Sequence, residues 1–373
     1  MGATSTADET LFRSLSGIPN VDIAYNLRSA FAAGRRATSL LREVIALRRA
    51  AGRLTPQEYF YYRLWDPDLP LTEKQRFVGK QAQHPMHVTC NSQSWFATAA
   101  DKILFHTVMA GARLPVPELL AATQAGRSLA NVPVPTDQAA VMNLLRRAEL
   151  YPLFAKPVAG KYSLTVLSAD AYDRDADEVI HVGGERRAVC DVAASIIGGA
   201  GFLLQRRLNQ APQLAALFGP RLWSARVLVF LRRTGPTIHR AVAKIATGAN
   251  PADNYWRTGN MLGAIELTSG IIQRVVRGAG ADLAVNQPHP DTGRPVIGTP
   301  IPDWPRLVEL VMSAAPVFAG IRTQSWDVAL TDQGPVFLEV NFGGDLNLAQ
   351  LANGKGVLDE GYIEHLRECG YRI

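Results

Sequence analysis

The stretch Trp326-Asp327-Val328-Ala329-Leu330-Thr331-Asp332-Gln333-Gly334-Pro335-Val336-Phe337-Leu338-Glu339-Val340-Asn341 sets two apolar runs on either side of a turn. Glycine at the third turn position predicts a three-residue hairpin loop, Asp332-Gln333-Gly334, with Gly334 left-handed. In that register Thr331 faces Pro335 and Asp327 faces Glu339. Opposed residues share a face with Cβ atoms about 5 Å apart, and Asn341 joins that face because strand side chains alternate. Two acids placed opposite each other repel unless a cation intervenes. Mg2+ takes such oxygen donors, usually one or two carboxylates, and completes its shell with water and phosphate. The hairpin therefore predicts a metal site on Asp327, Glu339 and Asn341, which a one-residue register change would take apart.

Around this hairpin lie 373 residues, and at roughly 150 residues per domain the length suggests two or three domains. Hydrophobic residues make up 47% and charged ones 19%, enough apolar surface for substantial cores. No apolar run approaches the roughly 20 residues that span a bilayer, and Met1 to Glu9 lacks the regions of a signal peptide, so a cytoplasmic address is expected. Cys90, Cys190 and Cys369 are too few and too scattered for a disulfide framework. His84, His87 and Cys90 have metal-ligand chemistry at three-residue intervals, but Pro85 disfavours a regular helix there and no fourth ligand is near in sequence. A net charge of +6 suits anionic ligands, and no nucleic-acid-binding motif is present.

The organisation reads as three parts: residues 1–98, mostly helical; 99–207, a small α+β unit; and 208–373, richer in strands. Val21 to Arg53 has a helical pattern that Gly34 splits, with Leu27, Phe31, Leu41, Val44 and Ile45 as candidate buried positions and seven arginines on a solvated face. Thr55-Pro56-Gln57-Glu58 has the form of a capping box, and the aromatics from Tyr59 to Trp65 are placed to pack this part onto the body. A helix is expected from Ala99 to Gly111. Beyond it, strands are expected at Leu119 to Ala122, Leu153 to Pro157, Leu164 to Ser168 and Phe202 to Gln205. No Walker loop, Rossmann fingerprint or Ser/His/Asp order occurs.

From about Ala100 to the C-terminus the sequence resembles the ATP-grasp superfamily, in particular its sugar-transfer-associated branch. Asp327, Glu339 and Asn341 match the magnesium-binding acid and Glu-x-Asn pattern, and Gln350 falls where the branch carries a polar residue. The resemblance implies an α+β fold in which two lobes clasp ATP between antiparallel sheets, with an N-terminal helical region added. It also implies two phosphate-binding lysines, Lys102 at a helix start and Lys156 on a central strand. The segment with Gly160, Lys161 and Ser163 matches the loop over the phosphates, and the strand bearing Gln205, Arg206 and Arg207 lies where adenine is held. Arg226 occupies a position that relatives aim at the transferring phosphoryl group, Lys244 is its expected neighbour on the next strand, and Asn254 and Arg257 match a substrate-orienting loop.

The activity so implied is ATP- and Mg2+-dependent joining of a carboxylate to an amine through an acyl phosphate, in natural-product or glycan-related biosynthesis. A kinase acting on a hydroxyl, or a nucleotide-binding partner without turnover, uses the same ATP site and stays open. The expected partners are small-molecule carboxylates and amines, without nucleic acid or an integral membrane segment. A homo-oligomer or a pathway partner is left open.

Overall fold

In the computed structural model, which describes residues 21–124, 126–130, 132–159, 166–197, 201–248, 250 and 252–373, the hairpin forms one edge of the larger of two antiparallel sheets. The smaller sheet holds β1 (Leu119–Ala122), β2 (Leu153–Pro157), β3 (Leu167–Asp173), β4 (Glu178–His181), β5 (Arg186–Ala188) and β6 (Phe202–Arg206), in the order β1-β6-β2-β3-β4-β5. The larger holds β7 (Ser224–Arg232), β8 (Gly235–Ile245), β9 (Met261–Ile265), β10 (Ile272–Arg277), β11 (Ala284–Val285), β12 (Thr323–Thr331) and β13 (Gly334–Phe342), in the order β11-β10-β9-β8-β7-β12-β13. β1 and β2 have the expected bounds. β4 and β5 escaped prediction because a short polar segment such as Arg186-Arg187-Ala188 carries no apolar alternation.

The hairpin reaches the expected pairing by a different path. Thr331 pairs with Gly334, not Pro335, so the connection is Asp332-Gln333, with Gly334 at φ +90°. A bulge between Asp327 and Val328 then shifts the ladder by one residue. That extra residue, Leu338, restores Asp327 opposite Glu339 and sets Asn341 opposite Ser325.

The larger sheet is covered on both faces. Trp326, Val328, Val227 and Ala243 meet Trp304, Leu307 and Val311 of the helix Trp304–Ala314 on one side. On the other, Val242, Leu262 and Val276 meet Tyr59, Tyr61, Tyr62 and Trp65, together with Leu348 and Leu351 of the helix Leu346–Asn353. The predicted capping box is formed: Thr55 Oγ1 accepts from the Glu58 N–H, and Thr55 N–H donates to the Glu58 carboxylate. Gln350 is buried and sews the N-terminal part to the sheet, accepting from Val78 N–H at 2.7 Å and donating to Val78 C=O at 3.0 Å and to Tyr62 Oη at 3.0 Å.

Two expectations for the N-terminal part are corrected. The helices Ile23–Ala32 and Ala37–Arg49 do break at Gly34, but Phe31, Leu41 and Ile45 are exposed. Their buried positions are Asn26, Ala30, Leu40 and Leu47, with the predicted Leu27 and Val44 packed half-buried against the same core. Pro85 lies inside the helix Lys80–Cys90. Burial of Ala82, Met86 and Cys90 offsets the hydrogen bond that proline removes. Among the described residues no helix is long and apolar enough to cross a membrane.

Candidate active site

Alternation along β7 sends Ala225, Val227 and Val229 into the core and turns Ser224 and Arg226 to the other face. The pairing then aligns Arg226 with Asp327 and Asp327 with Glu339 in one row across three strands. Lys244 stands opposite Ser224, two residues along. Arg226 grips Asp327 through a two-pronged fork, Nε to Oδ1 at 2.7 Å and Nη2 to Oδ2 at 2.7 Å. Lys244 donates to Asp327 Oδ2 at 3.0 Å and lies 3.4 Å from Asp253 Oδ1. Asp253 in turn accepts from the Ser224 hydroxyl.

The cations Arg226 and Lys244 therefore supply the charge that the facing acids require. Burial opposes ionisation of Asp327, yet Arg226 and Lys244 hold its carboxyl well below the usual range. The reciprocal effects are present: burial opposes the charge on Lys244 and on Arg226, but Asp253 and Asp327 raise the lysine and Asp327 raises the arginine. Glu339 is the more open carboxylate, its side chain 30% exposed against 4% for Asp327. Arg226 Nη2 stays 3.9 Å from Glu339. Asn341 Nδ2 lies 3.4 Å from Glu339 Oε1, so the amide and the carboxylate share one end of the row.

These donors fit a hard divalent cation, with a difference from the predicted trio. Glu339 and Asn341 present neighbouring oxygen-bearing groups at the open end, as Mg2+ requires when water and phosphate complete its shell. Both oxygens of Asp327 already accept charged hydrogen bonds, so it contributes one remaining lone-pair direction and above all fixes Arg226 and Lys244.

From the smaller sheet, Lys156 on β2 reaches across to the hairpin, with Nζ 3.4 Å from the carbonyl of Leu338, the bulged residue beside Glu339. Burial pushes its amine down to about 8; Lys102 and Lys244 act in the same sense, and Glu339 and Asp327 against it. Those influences put Lys102, Lys156, Lys244, Asp327 and Glu339 within electrostatic reach of one another. Lys102 opens the helix Lys102–Gly111, capped by Asp101, which accepts from Ile103 N–H at 2.9 Å and Leu104 N–H at 3.0 Å. Asp101 is itself held by Arg127.

Other predicted residues stand elsewhere. Gly160, Lys161 and Ser163 lie outside the described residues. Gln205 is buried on β6, between β1 and β2. Arg206 is taken up by Glu118 at 3.2 Å and by the carbonyls of Glu149, Leu150 and Tyr151, and Arg207 by Asp170 at 2.6 Å. Both arginines thus brace the small lobe. In the loop after β8, Asn254 Oδ1 accepts from Trp256 N–H at 3.1 Å and its carbonyl from Arg257 N–H at 3.0 Å. Asn260, buried, ties this loop by donating to the carbonyls of Ala252 and Asn254 and accepting from Thr247 N–H. Asp253 and Asn260 were not among the predicted site residues. Their signal was a run of short polar side chains, Asp253-Asn254 and Asn260, in a loop otherwise rich in aromatics.

A model of the sugar-transfer associated ATP-grasp family matches residues 81–365. The chain belongs to this family. No curated protein matches it significantly. Among solved structures, this ATP-grasp chain is similar to the ATP-grasp ligase PsnB complexed with a phosphomimetic variant of minimal precursor, Mg and ADP, at 16% identity and TM-score 0.41 over 75% of this chain and 61% of that one. It is also similar to the ADP complex of purK, an N5-carboxyaminoimidazole ribonucleotide synthetase, at 12% identity and TM-score 0.40 over 74% and 53%. An L-amino acid ligase from Bacillus licheniformis follows at 14% identity and TM-score 0.36 over 73% and 49%. The chain thus spans 61% or less of the length of these neighbours. The α+β, two-sheet ATP-grasp fold expected from the sequence is the fold of the protein.

Proposed function

We propose that this ATP-grasp protein is a cytoplasmic ligase that joins a carboxylate to an amine, converting ATP to ADP and phosphate. The observation that carries the reading is the reach of Lys156 from one sheet to the Leu338 carbonyl on the other, beside Glu339. Cations and acids are thereby collected between the two sheets, where a triphosphate would lie.

In this reading a carboxylate oxygen of the substrate attacks the γ-phosphorus, the bond to ADP breaks, and an acyl phosphate forms. An amine then attacks the acyl carbon, phosphate leaves, and the amine gives up a proton to solvent. Lys102 and Lys156 offset phosphate charge from positions organised before the nucleotide arrives, which is where fixed charges exceed water in effect. The fork to Asp327 uses one edge of Arg226 and leaves the Nη1 hydrogens for a phosphoryl oxygen. Mg2+, held by Glu339 and Asn341, would neutralise phosphate charge when bound. Asn254 and Arg257 are assigned to orienting the acceptor, on the loop that Asp253 links to Lys244.

The test is incubation of the purified chain with MgATP and a panel of carboxylates and amines, reading ADP, free phosphate and product mass. An amide with free phosphate supports ligation; a stable phosphorylated product would assign a kinase instead, and nucleotide binding without turnover would leave a binding protein. In the same assay Glu339→Gln lowers turnover by about 10²-fold or more with the circular dichroism spectrum unchanged, as loss of a metal ligand does. Full activity in that variant removes Glu339 from the site.

A further inference from the structure

Where β12 begins, the C-terminal helix Glu360–Glu368 meets the end of the helix Lys80–Cys90. Here Cys90, His365 and Cys369 turn their donor atoms inward, all within 4.8 Å of one another. Among the described residues no other group of three His, Cys, Asp or Glu side chains converges in this way. His365 Nε2 lies 3.8 Å from Cys369 Sγ. In a tetrahedral zinc site, bonds of about 2.3 Å to sulfur and 2.0 Å to nitrogen give ligand-to-ligand edges of roughly 3.5–3.8 Å. The observed separation is already close to such an edge.

The donors are also held before any ion arrives. His365 and Cys369 stand four residues apart around the last turn of one helix, so they point the same way. The imidazole is fully buried and stacks on Phe230 with ring centres 4.4 Å apart and planes 6° from parallel. Its Nε2 is 2.8 Å from the Thr323 hydroxyl, which can turn aside. Cys90 is fixed by its neighbour Asn91, whose side chain accepts from Thr323 N–H at 2.8 Å and donates to Thr323 C=O at 3.3 Å. Cys90 is buried, whereas Cys369 is half-buried and gives solvent a path to the cluster.

We propose that Cys90, His365 and Cys369 bind one thiolate-preferring cation, Zn2+, with solvent as fourth ligand. Two thiolates and an imidazole select zinc over the hard Mg2+ of the nucleotide cleft. On binding, the cysteine thiol protons pass to solvent and two sulfur–zinc bonds and one nitrogen–zinc bond form. The ion ties the C-terminal helix to the helix Lys80–Cys90. That second helix in turn holds the segment after Asn341, through Lys80 to Asp345 at 2.8 Å and Gln83 to the Gly344 carbonyl at 2.7 Å. The site is thus a clamp farther along the sheet face that carries Arg226, since Phe230 beneath His365 shares that face by alternation, and it does not depend on the ligase reading. His84 and His87, which the sequence spacing grouped with Cys90, are not part of it.

The test uses the reduced full-length chain with Co2+ as a spectroscopic probe and Zn2+ in competition with a chromophoric chelator. Binding of one equivalent is expected, with a thiolate-to-cobalt charge-transfer band that the oxygen donors of the nucleotide site cannot produce. Cys90→Ser and Cys369→Ser should each lose the band and weaken zinc binding by at least about 10²-fold, the upper end of what even indirect ligand supports cost. Cys190→Ser should bind as the parent does. In the parent chain Zn2+ should protect the half-buried Cys369 from alkylation, read by peptide mass, and leave the exposed Cys190 reactive. This last measurement decides the matter if a variant fails to fold. Absence of the cobalt band, parent-like affinity in both variants, or a Cys90–Cys369 disulfide that forms at the same rate with zinc present would overturn the proposal.

Discussion

Asp327→Asn keeps the shape of the side chain and removes the charge that holds Arg226 and Lys244. The carboxylate is 4% exposed, the arginine 15% and the lysine 8%, so neither cation finds water as a ready substitute. Removing one partner of a buried pair typically costs about 3–5 kcal/mol, because the charge left behind remains desolvated. Lys244 retains Asp253 at 3.4 Å, whereas Arg226 retains Glu339 only at 3.9 Å, so the arginine carries most of the loss. Urea denaturation followed by tryptophan fluorescence suits the assay, since Trp326 adjoins the mutated residue in the core of the same sheet. The double variant Arg226→Met, Asp327→Leu should regain most of the stability, since apolar residues of similar volume replace buried pairs at little cost. It should nevertheless fail to turn over ATP. A loss below about 1 kcal/mol in Asp327→Asn, the size expected of an exposed pair, would refute the reasoning. The same pair predicts acid sensitivity. Its native carboxyl sits below the ordinary value of 3.8, so below that pH the unfolded chain binds more protons than the folded one. The contribution is complete above about pH 4 and is lost as pH falls through the depressed native value.

Lys156 should make nucleotide affinity fall as pH rises through about 8, the value to which burial lowers its amine, because only the protonated form pairs with phosphate. Titration calorimetry between about pH 7 and pH 9 reads this, and Lys156→Met should weaken binding by about 10-fold or more at pH 7 and flatten the profile; a level profile in the parent chain would remove Lys156 from the phosphate site. Gln350→Leu should lower unfolding stability by roughly 2–6 kcal/mol, since it strands both the N–H and the carbonyl of Val78, each at about 1–3 kcal/mol. The Mg2+ requirement of any turnover should not change in Gln350→Leu, and a shift in that requirement would make Gln350 part of the catalytic machinery rather than a tie to the N-terminal part.

The hairpin illustrates how local legibility can succeed for an incomplete reason. Asp327 does face Glu339, but the turn is one residue shorter than the glycine implied and a bulge at Leu338 restores the register. A bulge leaves no clear mark in apolar alternation, because it arises from how β12 must also pair with β7. In the first two helices Leu27 and Val44 pack as expected, while Phe31, Leu41 and Ile45 face outward for a related reason. Periodicity shows that a helix has an apolar side; the partner surface chooses which of two neighbouring stripes is buried.

Short-range chemistry controls the break at Gly34, the Thr55–Glu58 capping box, the bounds of β1 and β2, and the donor types on the hairpin, and these could be read from the residues alone. Which charges meet is settled by long-range packing. Arg226 and Asp327 lie 101 positions apart, and Gln350 and Val78 272 apart. The turn of Arg206 and Arg207 away to Glu118 and Asp170, and the meeting of Cys90 with His365 and Cys369, likewise depend on strand order and helix docking. A polar side chain carries no periodic signal of its partner, because its free energy depends on burial and on the opposite charge that folding brings alongside it.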